Sequence, residues 1–90
     1  MRYSYDRLKK ASNLEKHGLD FDDARQVIEG EQTVTFEDRR FDYDEPRFIT
    51  MGILSGVVVV IVTTESDTNI RIISMRKAEK NEQKIYFSNL

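Results

Sequence analysis

Apolar residues recur at three- and four-residue spacing through Phe21, Ala24, Val27 and Ile28, which predicts a one-sided helix begun by Asp20 and ended by Gly30. A helix before it runs from an Asp6 cap to about His17, with Gly18 as its stop and Leu8, Ala11 and Leu14 as its apolar stripe. Residues 3–5 read as a short edge strand. The period then changes. Residues 33–36 predict a strand and residues 37–46 a long exposed loop, followed by strands at 47–54, 57–64 and 70–75. Ser55-Gly56 makes a tight turn between the first two of these, and residues 65–68 make a second turn. A last helix begins near Ala78 and carries Ile85 and Tyr86 inward.

The fold this predicts is α+β: a small antiparallel meander with two helices before it and one after, in a single domain spanning residues 1–90. Residues 57–62 are apolar at every position, so their strand is expected at the centre of the sheet. A short chain leaves little to cover the second face of that strand. Either a partner or the acidic loop is expected there.

Composition narrows the chemistry. With no cysteine and one histidine, disulfides, thiolate metal sites and multi-histidine zinc sites are excluded. The longest aliphatic run has six residues where a spanning helix needs roughly 20. The first residues lack the apolar core of a secretory signal, so a cytoplasmic location is the default. The net charge of −2 hides a division along the chain. Between residues 20 and 45, ten acids face three arginines (−7), whereas between residues 71 and 84 five cations face two acids (+3). An acidic region and a basic end share one small chain.

The basic end offers the clearest chemistry. Arg71 lies in the last predicted strand, and Arg76 and Lys77 stand where that strand gives way to a helix, whose free amides would add to a positive pocket. Such a pocket suits a phosphate or a pentacovalent phosphorane. Strict alternation puts Arg71 with Ile73 and Met75 on one face and Arg76 with Ile70, Ile72 and Ser74 on the other. The two arginines face apart unless a bulge intervenes. Arg47 opens an earlier strand and completes the cluster if the register brings it beside Arg71. The competing arrangement pairs these arginines with acids of residues 42–45.

Glu65, Glu82 and Tyr86 are the candidates for a general base, and Glu82 and Tyr86 stand one helical turn apart. His17, in a last helical turn, more often complements the helix dipole than transfers protons. There is no Gly-rich phosphate loop, Ser-His-Asp arrangement or carboxylate cluster at metal spacing. No cofactor or metal is expected.

Several segments together resemble the BrnT toxins: Asn13-Leu14-Glu15-Lys16-His17-Gly18; Phe21 with Ala24 and Val27; Glu45-Pro46-Arg47 followed by Gly52; and residues 70–76 with Ala78, Glu82 and Tyr86. The likeness spans nearly the whole chain. It implies a bacterial type II toxin with a RelE-like α+β fold and endoribonuclease activity. It also implies neutralisation by a BrnA antitoxin carrying a ribbon-helix-helix domain, in a 2:2 heterotetramer that reaches DNA only through the antitoxin.

The family's basic cluster maps to Arg47, Arg71, Arg76 and Lys77. Many relatives carry a second arginine where this chain has Lys77, and lysine supplies a point charge instead of a planar fork. On this reading the substrate's 2′-hydroxyl attacks the neighbouring phosphorus without a metal. Arg71 and Arg76 stabilise the transition state, Arg47 and Lys77 hold the phosphate, and Lys80 and Lys84 steer the RNA backbone. The alternatives are a non-catalytic interaction domain, or a degenerate toxin that retains only antitoxin binding.

Overall fold

In the computed structural model, which describes residues 1–40, 42 and 44–90, the chain begins with β1 (Arg2–Tyr5), α1 (Arg7–His17), a 3-10 turn (Phe21–Asp23) and α2 (Ala24–Ile28). It continues through β2 (Val34–Asp38), β3 (Arg47–Leu54), β4 (Val57–Glu65), β5 (Asn69–Lys77) and α3 (Lys80–Ser88). Local signals set most of these boundaries. The Asp6 carboxylate accepts from the Leu8 and Lys9 amides, and Gly18 closes α1 at φ 69°. Ser55 and Gly56, at φ 51° and 79°, form the predicted turn between β3 and β4.

The α+β class holds, but the sheet is mixed and its order, β1-β5-β4-β3-β2, is not that of a simple meander. β2 to β5 pair antiparallel in sequence, while β1 lies parallel to β5. Hairpin signals are local and cannot reveal a pairing between the first and last strands. Helix placement also differs from expectation. The second helix is split into a 3-10 turn and a five-residue α2, and α3 starts at Lys80, because β5 continues to Lys77. β2 extends to Asp38, which shortens the predicted loop; its Phe41 and Tyr43 lie outside the described residues.

β4 is central and has apolar cover on both faces. On one side Val59 and Ile61 pack with Ile70, Ile72 and Met75 of β5 and with Phe21, Ala24 and Val27. On the other, Val58 and Val60 join Val34, Met51 and Tyr86 of α3. The second face is thus filled in part by the chain's own last helix. Ile85, expected inside with Tyr86, is 44% exposed. Gly52 matters for the first cluster, since a Cβ there would lie 2.7 Å from Val27 Cγ1. Only glycine lets α2 sit this close to β3.

The expected apolar stripe of α1 does not form, because Leu8, Ala11 and Leu14 face solvent. The helix is held instead by Asn13, its one buried residue. Asn13 Nδ2 donates to the Met75 and Leu19 carbonyls at 2.9 and 3.1 Å, and its Oδ1 accepts from the Met75 amide at 3.2 Å. This side chain substitutes for a neighbouring strand where β1 has ended. Asn13→Leu would leave buried backbone groups unsatisfied, at about 1–3 kcal/mol each. Urea unfolding should therefore show a lowered midpoint with an unchanged slope.

Candidate functional site

A bulge in β5 decides which arginines meet. Val62 of β4 opposes Ser74, but the next residue, Thr63, opposes Ile72, so Ile73 is an extra residue in the ladder. Below the bulge, Ile70 and Ile72 enter the core with Met75 from above it. Arg71 is thereby turned to the same face as Ser74 and Arg76, reversing the result of strict alternation.

The register adds Arg47 to this face. Arg47 opposes Thr64, and Thr64 opposes Arg71, so one rung reads Asp38, Arg47, Thr64, Arg71 and Ser4 across all five strands. Two strand spacings separate the arginine backbones, roughly 10 Å. Their side chains line one surface cavity of about 440 Å³, together with Thr64, Ile73 and the carboxylate residues Asp42, Asp44 and Glu45. Arg71 is exposed and forms no ion pair among the described residues. Its charge also bears on Asp6. That carboxyl is held below the usual range by the Lys9 and Leu8 amides, with a smaller contribution from Arg71.

Arg76 lies on the same face but is engaged. Its Nη1 and Nη2 donate to Glu82 Oε1 and Oε2 at 2.6 and 2.7 Å, a two-pronged pair. Glu82 also accepts from the Glu79 amide, and the Glu79 side chain reciprocates at the amide of residue 82. The α3 start expected to hold a phosphate is therefore already capped by two carboxylates. The hydrogen bond to Arg76 keeps the Glu82 carboxyl below its ordinary range, and the same bond raises Arg76.

The depressed Glu82 value stabilises the fold at neutral pH, and this contribution disappears as pH falls through the folded-state value. Glu82→Gln should flatten that acid-side decline. The pair is partly solvent-screened, so its contribution at pH 7 is on the order of 1 kcal/mol. Chemical unfolding across pH 3 to 7 would measure both quantities.

The remaining expected residues separate. Lys77 opposes Val59, placing it on the α2 face, away from the three arginines. Glu65 opposes Ile70 and likewise belongs to that face. Tyr86 is fully buried and its hydroxyl donates to the Gln32 carbonyl at 2.7 Å, so it is a core anchor that solvent does not reach. Lys80 and Lys84 line a separate shallow cavity on α3 with Gln83, Phe87 and Ser88.

Sequence reading gave His17 little weight. It lines a cavity of about 440 Å³ between α1 and β5, along with Lys9, Ser12, Lys16 and Ser74. The helical spacing of Lys9, Ser12 and Lys16 was the available signal. No group of three or more potential metal ligands occurs among the described residues, and no helix of theirs is long and apolar enough to cross a membrane.

A family model described as the ribonuclease toxin BrnT of type II toxin-antitoxin systems matches residues 5–82. No curated protein was found to match the chain. The matched region includes Asn13, the β5 bulge, all three arginines on the common face and Glu82.

Proposed function

From the premise that this chain belongs to the BrnT family of ribonuclease toxins of type II toxin-antitoxin systems, we propose that it is an endoribonuclease that cuts RNA without a metal ion. The carrying observation is the shared rung of Arg47 and Arg71 at one solvent-open cavity. Two guanidinium groups from different strands can grip one phosphodiester, and their fork geometry suits its oxygens. The 2′-hydroxyl gives up its proton to water and attacks the adjacent phosphorus, the P–O5′ bond breaks, the departing 5′-oxygen takes a proton from water, and a 2′,3′-cyclic phosphate and a 5′-hydroxyl result. Charge building on the phosphoryl oxygens is stabilised by these cations.

Arg76 takes a different part from the one first expected. Held by Glu82, it is oriented toward the same face and already partly neutralised. Glu82, acidified by that pair, is a weak base at neutral pH. Lys77, Lys80 and Lys84 lie apart from the rung and contribute to long-range attraction of RNA.

Family membership implies a protein antitoxin. A BrnA-like ribbon-helix-helix protein in a 2:2 complex, contacting DNA on behalf of both chains in the cytoplasm, is the specific form proposed. A RelE-like relationship of the fold belongs to the same proposal. A second reading, a degenerate toxin that keeps only antitoxin binding, draws on the Arg76–Glu82 pair and the carboxylates beside Arg47 and Arg71. Purified protein incubated with RNA in excess chelator separates the two. Fragments ending in 2′,3′-cyclic phosphate are expected, and intact RNA, with normal growth on expression alone, would support the degenerate toxin.

A further inference from the structure

The cavity between α1 and β5 meets the arginine cavity at Ile73, the bulge residue, which lines both. Their linings differ in charge. Asp42, Asp44 and Glu45 border the arginine cavity, whereas the α1 cavity is bordered by Lys9, Lys16 and His17 and, among the described residues, by no carboxylate. Ser12 and Ser74 supply hydroxyls there as well. Lys9 and Lys16 are two turns apart on one face of α1, and neither forms a salt bridge among the described residues. Lys10, one position along, instead faces Asp20 and Asp22 at 3.6 and 3.0 Å. Asp20 and Asp22 are thus engaged on the other side of α1, while its cap Asp6 interacts electrostatically with both Lys9 and Arg71.

We propose that the α1 cavity is a second RNA-backbone subsite, in which Lys9 and Lys16, with the Ser12 and Ser74 hydroxyls, hold a phosphate next to the one gripped by Arg71. The inference rests on the ribonuclease reading and deepens it. A single strand laid across the arginine face of β5 passes from the rung over Ile73 to α1, meeting cations at both ends. Asn13 contributes by fixing α1 against Met75, which keeps the lysine face aligned with the bulge. This arrangement gives the protein a preference for substrates longer than the cleaved dinucleotide.

The test uses the full chain carrying Lys9→Gln and Lys16→Gln, both surface changes away from the arginine rung. Binding of a fluorescent 2′-O-methyl RNA decamer should weaken about tenfold at low salt, and the log–log salt slope should shrink by about 0.7, the value for one phosphate no longer neutralised on a single strand. Cleavage of a dinucleotide should keep its wild-type rate, while KM for a decamer rises and kcat stays constant. Unchanged decamer binding and salt slope would overturn the subsite while leaving the ribonuclease reading standing. Loss of antitoxin binding with RNA binding intact would overturn it in favour of a protein contact. A wild-type chain that neither binds nor cuts RNA would remove both.

Discussion

Arg71→Ala is expected to slow RNA cleavage about 10²- to 10³-fold in kcat, the usual consequence of removing one donor from a developing oxyanion. Arg71 is the most exposed position of the rung, and neither of its β-sheet neighbours, Thr64 and Ser4, carries a charge that could replace it. Because its side chain is outside both apolar clusters, the variant should unfold at the same urea concentration as the parent. Arg71→Lys should recover only part of the rate, since an ammonium cannot bridge two phosphate oxygens as a planar fork does. Single-turnover cleavage in chelator measures the effect. A rate within threefold of wild type for Arg71→Ala would exclude this residue from the chemistry.

Tyr86→Ala should produce the largest loss of stability, about 3–5 kcal/mol, as expected for deleting a fully buried aromatic ring. The ring joins α3 to Val34, Met51, Val58 and Val60. For a chain of 90 residues such a loss takes a large share of the total. Tyr86→Phe separates packing from chemistry. It removes only the hydrogen bond to the Gln32 carbonyl, at a cost of about 1 kcal/mol, and should leave RNA cleavage intact. A general base would give the reverse result, with normal stability and lost activity. Urea unfolding and cleavage assays on the two variants distinguish the roles.

Much of this arrangement was legible in the sequence. Asp6, Gly18 and Ser55-Gly56 act within a few residues of themselves, so their cap and turn chemistry identifies element boundaries without tertiary information. The six aliphatic residues of β4 likewise marked the centre of the sheet. What escaped depended on contacts between distant segments. The parallel β1–β5 pair has no local signature, and neither does the two-sided hydrogen bonding of Asn13, which replaces the apolar stripe expected on α1. The bulge at Ile73 is a clear instance. Alternation alone separated Arg71 from Arg76, and only the packing of both Ile72 and Met75 into one core required the extra residue.

The site shows the same division. Likeness grouped Arg47, Arg71, Arg76 and Lys77; the register puts the three arginines on one face, with only Arg47 and Arg71 sharing a cavity, and turns Lys77 to the other face opposite Val59. Arg76 also illustrates how a cation can be claimed by the fold. Its strand extends far enough to place the guanidinium beside Glu82, which the α3 capping box holds in position.

A double-mutant cycle between Arg47 and Arg71 tests the shared phosphate most directly. Both are replaced by alanine singly and together, and kcat/KM for RNA cleavage is compared. If the two guanidinium groups grip one phosphodiester, the second substitution should cost much less than the first, with a coupling of about 1–3 kcal/mol. Losses that add to within about 0.5 kcal/mol would mean that the arginines act at independent places, and the account would fail.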